Sequence, residues 1–240
     1  MKKNTQGCVY LIPTTLGDHT TIRSAIPHEV AVIITEIDEF IVENERSARR
    51  YLTNFNLKTP ISNIKLHVLN KHTERNDLSS YLDSIDQGKD IGIISEAGCP
   101  GIADPGSEIV AIAHSKGIRV APLVGPSSIL LALIASGLNG QYFSFVGYLP
   151  INNPERTKCI KELELYSYKK DQTQIFMEAP YRNQKLLEDI IKVCSSDTLL
   201  CLATDITLPT EHIKTMGIKD WKSNIPQINK RPTIFLIHKY

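Results

Sequence analysis

Residues 95–107, Ser-Glu-Ala-Gly-Cys-Pro-Gly-Ile-Ala-Asp-Pro-Gly-Ser, set three glycines and two prolines between an apolar segment and a helical one. Glycine reaches positive φ and lets a ligand lie on the peptide groups themselves. Proline stiffens the loop and so lowers the entropy lost on binding. The chemistry on offer is recognition by main-chain amides and carbonyls around Gly98, Gly101 and Gly106. A purely structural elbow needs fewer glycines. No Gly-Lys-Ser/Thr closes the loop and the G-x-G-x-x-G spacing is absent, which excludes a P-loop and a dinucleotide fingerprint. With no lysine for β/γ-phosphates, the loop suits a nucleoside-like ligand without a polyphosphate. Asp104, just before Pro105, is placed to cap the helix that follows.

Two more elbows sit at strand ends. Ile12-Pro13-Thr14-Thr15-Leu16-Gly17-Asp18 follows the first strand, and Gly125-Pro126-Ser127-Ser128 follows a later one. Taken singly, each serves as a strand-to-helix connection, with Thr20, Thr21, Ser127 or Ser128 as N-cap. Glu178-Ala179-Pro180-Tyr181-Arg182 lies between a strand and a helix. Glu178 there either carries charge into a cleft or pairs with Arg182. Arg46, Arg49 and Arg50 share a helix, with Arg23 nearby in sequence. Such a cluster is commonly a solvated face, and in the functional alternative it seats phosphates. His72 is a further candidate site residue, and Glu43, Glu178 and His72 are the candidate bases for a proton transfer.

The elements that must hold these residues alternate between strand and helix. Apolar runs at 8–12, 65–69, 90–94 and 118–123 are expected strands, and residues 45–55, 77–86 and 107–114 have helical spacing. Residues 31–35 are compatible with a second strand or with a helix over 29–40. This alternation implies a parallel sheet. The helix at 129–136 follows. Residues 141–146 then alternate as a more exposed strand, antiparallel by expectation, before a polar helix (157–168), a strand (174–177), an amphipathic helix (183–193) and strands at 199–203 and 233–237. The expected organisation is an N-terminal α/β domain with a parallel sheet, residues 1–123, and a C-terminal mixed-sheet α/β domain, residues 124–240. Two such halves invite a ligand into the cleft between them.

The composition of the 240 residues, 42% hydrophobic and 22% charged with a net charge of +1, is that of a globular chain with ample core. No global basic field advertises nucleic acid, so RNA contact requires a local patch. Five scattered cysteines and seven histidines show no zinc spacing, and no metal is expected. The N-terminus has no signal-peptide pattern and the apolar run 129–135 is far too short to span a bilayer. A reduced, cytoplasmic protein with no membrane partner is expected.

The ordered series IPTTLGD, SEAGCPGIADPG, PLVGPSS, FVGYLP and FMEAPYR resembles the tetrapyrrole-methylase superfamily. Within it, the series is most similar to the RsmI-like branch, which methylates ribose 2′-hydroxyls of small-subunit ribosomal RNA. The resemblance runs from Gly7 to about Arg182, and the loop at residues 95–106 is its most specific part. It implies two α/β domains with S-adenosylmethionine in a cleft between them, normally in a homodimer. Carried over one residue at a time, Pro13 borders this ligand, and Glu96, Ala97, Gly98 and Ile102 approach it from the long loop. Ser127 and Ser128 match the pair after a Pro-Gly element. Met177 matches a methionine packed on the ligand, and Ala203 a main-chain contact one strand later. On the acceptor side the resemblance and the basic cluster offer Arg46, Arg49, Arg156 and Arg182.

The departures from that branch fall mostly on the acceptor side. Glu96 replaces aspartate, Cys99 replaces threonine, and the first loop is shorter by about two residues. Glu43-Asn44-Glu45-Arg46-Ser47-Ala48 stands for E-D-T-R-x-T, Asn152 for a lysine, and Pro232-Thr233 for glycine-glutamate. The branch's C-terminal extension has no expected counterpart. Three readings stand: a methyltransferase acting on ribosomal RNA, one of the same fold acting on a tetrapyrrole, other small molecule or protein, and a non-catalytic adenosylmethionine-binding module.

Overall fold

The computed structural model describes residues 6–18, 20–70, 73 and 75–240, so the candidate base His72 lies outside the described residues. The chain divides into two compact units, Met1–Ser127 and Ser128–Tyr240.

In the first unit the order is β1 (Cys8–Ile12), α1 (Ile22–Ala25), α2 (His28–Glu36), β2 (Glu39–Val42), α3 (Glu45–Leu52), β3 (Lys65–Val68), a 3-10 segment (Arg75–Gln87), β4 (Ile91–Ile94), α4 (Gly106–Ser115) and β5 (Arg119–Pro122). The strands form one sheet in the order β3-β2-β4-β1-β5, and every neighbouring pair is parallel. Alternation along the strands divides the core into two layers. Tyr10 and Ile12 of β1, Phe40 and Val42 of β2 and Ile94 of β4 meet Val30, Ile34, Ala48 and Leu52 of α2 and α3. Val9, Ile41, Ile91 and Ile93 point the other way, to Leu78, Leu82 and Ile85 of the 3-10 segment and Ile109 and Ala113 of α4. Gly92 occupies the first layer because a Cβ there would lie 2.5 Å from Ile12 Cδ1 and 2.6 Å from Phe40 Cδ1.

Residues 31–35, whose sequence suits either strand or helix, are helical: Val30 and Ile34 are buried at i, i+4 spacing within α2. The second strand is instead Glu39–Val42. Its first residue, Glu39, is buried because its carboxylate receives Lys65 at 2.8 Å and contacts His67 at 2.7 Å. The helix expected at 77–86 is wound as a 3-10 segment, where a step of three carries Leu82 onto Ile85.

The second unit begins with α5 (Ser128–Ser136) and continues through β6 (Phe143–Tyr148), α6 (Asn153–Lys170), β7 (Thr173–Met177), α7 (Asn183–Val193), β8 (Leu199–Thr204), β9 (His212–Gly217), α8 (Ile218–Trp221) and β10 (Thr233–His238). The sheet order is β6-β7-β10-β8-β9. Phe176, Leu200, Leu202, Phe235 and Ile237 form a core with Ile160 and Leu163 of α6, with α7, and with Trp221. The antiparallel expectation for residues 141–146 is corrected: β6 pairs parallel with β7 because α6 carries the chain back over the sheet. β9 has a largely polar sequence, which the apolar pattern does not detect. No helix among the described residues is long and apolar enough to cross a membrane.

Candidate functional site

In the first unit β1 sends its connection toward β2 on one side, while β4 sends its own past β1 to β5. Oppositely directed connections at the carboxyl ends of parallel strands mark where open sheets bind ligands. The loop 95–106 leaves β4 at this point. Ser95 is buried and its hydroxyl donates to Gly98 O at 3.1 Å, closing a tight turn. Gly98 has φ +74°, and an added Cβ would stand 3.2 Å from both Leu16 Cδ2 and Pro126 O. Both conditions call for glycine.

The same loop is stitched to the other two elbows of this unit. Thr14 N donates to Gly98 O at 2.9 Å, and Thr14 Oγ1 lies 3.4 Å from Ser95 O. The Cys99 thiol approaches Pro126 O at 3.4 Å. Gly125 packs so tightly on Pro13 that a Cβ would fall 2.2 Å from the proline's own. Tyr51 Oη donates to Pro13 O at 2.7 Å from α3. Pro13, Gly98 and the 125–126 turn, far apart in sequence, therefore share one end of the sheet. Glu96, Ala97 and Ile102 are exposed on the loop, and Gly98 is buried.

Asp104 holds the far end of the loop. Its carboxylate accepts Gly101 N at 2.9 Å and Gly106 N at 2.8 Å, joining the turn to the start of α4. Burial pushes this carboxyl up, against the pull of the two amides. Glu43, at the end of β2, accepts Glu96 N at 3.3 Å. Burial is the largest cause raising the Glu43 carboxyl, with the charges of Asp104 and Glu96 adding to it.

Beside this loop, and within the same unit, lies an open groove of about 1170 Å³. Thr14, Ser95 and Glu96 line one side, while α1, α2 and α3 contribute others, including Arg23, Val32 and Arg50. Glu96 Oε1 accepts the Ser47 hydroxyl at 2.5 Å, and Arg50 pairs with Asp18 at 2.9 Å. Val32 is 47% exposed, and Tyr51 and Phe55 pack edge-to-face at 5.1 Å.

Arg49 donates to Ile61 O at 2.7 Å and Arg46 is exposed, and neither lines the groove, whereas Arg23 and Arg50 do. Arg156, expected at the acceptor, is an internal residue, 6% exposed. Its Nε and Nη2 donate to Asp189 at 2.8 and 2.5 Å, and Nη1 donates to Ile151 O. Glu178 is buried, and its Oε1 accepts both Arg182 Nη2 at 2.6 Å and Ala179 N at 2.7 Å. The Arg182 guanidinium carbon lies 4.9 Å from the centroid of the Tyr181 ring. Ser127 and Ser128 are half-buried, Met177 is half-buried at the end of β7, and Ala203 is fully buried in β8 between β9 and β10.

Ser47 and Tyr51 are not singled out by the sequence because α3 has the composition of a basic surface helix. A signal is present all the same: Asn44 caps α3 by accepting Arg46 N and Ser47 N, and the residues following it at helical spacing turn inward.

Residues 23–221 match the model for Tetrapyrrole (Corrin/Porphyrin) Methylases. The chain is 30% identical over 235 residues to the Ribosomal RNA small subunit methyltransferase I of Vibrio cholerae serotype O1, covering 97% of this chain and 77% of that protein. Its fold is similar to that of the methyltransferase CobJ, with a TM-score of 0.64 and 18% identity, over 97% of this chain and 94% of that one. It is also similar to uroporphyrin-III C-methyl transferase from Thermus thermophilus complexed with S-adenyl homocysteine, with a TM-score of 0.57 and 14% identity, over 97% and 98% of the two chains.

Proposed function

The chain belongs to the tetrapyrrole (corrin/porphyrin) methylases, and from that premise we propose that it methylates a ribose 2′-hydroxyl of small-subunit ribosomal RNA, with S-adenosylmethionine as donor. The observation that carries the reading is the 30% identity over 97% of the chain to a protein named for that RNA. The loop at residues 95–106 fits the donor. It offers peptide groups rather than a lysine or a phosphate cradle, and Gly98 has no room for a side chain. Glu96, Ala97, Gly98 and Ile102 would hold the ligand through their peptide groups, and Pro13 would border it. The resemblance also assigns Ser127, Ser128, Met177 and Ala203 to the donor.

The bound donor supplies an activated methyl group with its leaving group already in place. The protein's task is then alignment, bringing the acceptor oxygen to about 3 Å from the methyl carbon. The stitched elbows suit that task, since Thr14, Asp104 and Glu43 each fasten a different part of the loop. A preorganised loop loses little further entropy on binding. Ribosomal RNA as the acceptor implies a cytoplasmic protein, and the resemblance carries a homodimer with it.

The test is mass spectrometry of nucleosides from small-subunit RNA of cells with and without the gene. A 2′-O-methylated nucleoside that disappears with the gene and returns on complementation is the expected result. An unchanged nucleoside profile removes ribosomal RNA as the acceptor. Calorimetry with S-adenosylhomocysteine tests the donor site separately, and a titration without heat would remove that as well.

A further inference from the structure

We propose that the groove beside α1, α2 and α3 receives the acceptor ribonucleotide, and that the Glu96 carboxylate in it takes the hydrogen of the attacking ribose hydroxyl. The proposal rests on the reading of the chain as an RNA methyltransferase and adds the place and the group that meet the acceptor.

Glu96 is where the two features join. Its main chain belongs to the loop assigned to the donor, while its carboxylate reaches Ser47, a residue that lines the groove with it. A group held at that junction stands beside both partners of a methyl transfer. The Ser47 hydroxyl, 2.5 Å from Oε1, fixes the carboxylate from α3, and the second oxygen has no partner among the described residues. Among the described lining residues there is one other carboxylate, Asp18, which is paired with Arg50 at 2.9 Å, and one histidine, His28, at the start of α2. Glu43 and Glu178 do not line the groove. Glu43 is turned to the Glu96 amide and Glu178 to Arg182.

The rest of the lining suits a nucleotide. Arg23 offers a cation to phosphates, and Arg50, already paired with Asp18, adds guanidinium donors rather than net charge. Val32, 47% exposed, and the Tyr51–Phe55 pair give an apolar wall for a base. At about 1170 Å³ the groove exceeds the ~300–1,000 Å³ of ordinary small-molecule pockets, and so admits a short single-stranded segment. In the transfer, the bond from the ribose oxygen to the methyl carbon forms as the sulfur–methyl bond breaks. The sulfonium becomes a thioether, and the hydroxyl hydrogen passes to Glu96 and from there to water.

Glu96→Gln, Glu96→Asp and the Arg23→Ala/Arg50→Ala pair test this on the full chain. Three readouts are needed: calorimetry with S-adenosylhomocysteine, binding of a fluorescent single-stranded segment of small-subunit RNA, and methylation kinetics on small-subunit RNA. Glu96→Gln is expected to keep cofactor and RNA affinities within about twofold while kcat falls by about 10²–10⁴. Glu96→Asp should recover part of that loss. The arginine pair should bind RNA more weakly, with a salt slope shallower by about one for each phosphate no longer neutralised. Normal kcat in Glu96→Gln overturns the role of Glu96 and leaves the methyltransferase reading intact. Loss of cofactor binding in Glu96→Gln places the side chain in the donor site, and this also overturns the proposal. Unchanged RNA binding by the arginine pair overturns the groove. A wild-type protein that binds cofactor yet never methylates ribosomal RNA overturns the underlying reading instead.

Discussion

Asp104 holds Gly101 and Gly106 with one carboxylate, accepting their amides at 2.9 and 2.8 Å. The turn of the long loop and the first residue of α4 are thereby locked to each other. Hydrogen bonds to a charged group contribute about 1.5–3 kcal/mol each when partly buried. Asp104→Ala removes both and frees the loop's far end. Affinity for S-adenosylhomocysteine should fall by about 10- to 100-fold, equivalent to roughly 1.4–2.8 kcal/mol. Calorimetry reads this directly. Wild-type affinity in the variant would mean that the loop's shape does not depend on this clamp.

Gly98→Ala separates backbone strain from crowding, provided Gly117→Ala is measured beside it. Gly98 has φ +74° and Gly117 φ +69°, so both substitutions force an L-residue into the left-handed region. That costs about 1–2 kcal/mol at either site. Gly117 has nothing within 4 Å of an added Cβ, whereas at Gly98 the methyl meets Leu16 and Pro126 O at 3.2 Å. Similar strain with additional crowding predicts a lower Tm for Gly98→Ala than for Gly117→Ala. Cofactor affinity should drop in Gly98→Ala alone. Equal losses of affinity in both variants would show that the long loop is not the donor's seat.

The parallel sheet is legible in the sequence because its strands are short, largely apolar and bounded by turn residues, with β4 buried on both faces. Tyr10 and Ile12 take one face and Val9 the other by alternation alone. β2 is hidden for the opposite reason. It opens with Glu39, whose burial depends on Lys65 and His67 from the neighbouring strand, partners that local sequence cannot supply. The same limit governs the site. The glycine loop announces itself through backbone chemistry, which is local. Whether an arginine faces solvent, a groove or a buried aspartate depends on tertiary partners, as Arg46, Arg50 and Arg156 respectively show.

Glu43 gives stability a pH dependence of its own. Burial, with the neighbouring charges of Asp104 and Glu96, raises its carboxyl in the folded chain. Between the unfolded value, about 4.3, and the raised folded value, the folded state binds more protons than the unfolded one. This contribution to stability is therefore full below the unfolded value and is lost as pH rises through the folded one. Glu43→Gln, which keeps an oxygen for the Glu96 amide, should raise Tm at neutral pH. Its advantage over wild type should shrink steadily as the pH is lowered through that window. Thermal melts over an acid series measure it, and an advantage that grew toward low pH would contradict the assignment.

Arg156 tests the line between fold and acceptor site. Its side chain is 7% exposed, and its guanidinium shares Asp189 with Lys185, whose amine lies 2.9 Å from the other carboxylate oxygen. Removing one partner of a buried ion pair costs about 3–5 kcal/mol, because a charge is left buried and unpaired. Lys185 still reaches Asp189, so Arg156→Ala should fall near the lower end of that range. Urea unfolding would show it as a lower midpoint with an unchanged slope. RNA affinity measured well below the melting temperature should stay within about twofold of wild type, whereas removal of a direct phosphate ligand would lower the salt slope by about one. A variant of undiminished stability that binds RNA weakly would return Arg156 to the acceptor side. The Asp189 carboxylate and the carbonyl of Ile151 together account for all three guanidinium nitrogens, and that geometry predicts the loss of stability instead.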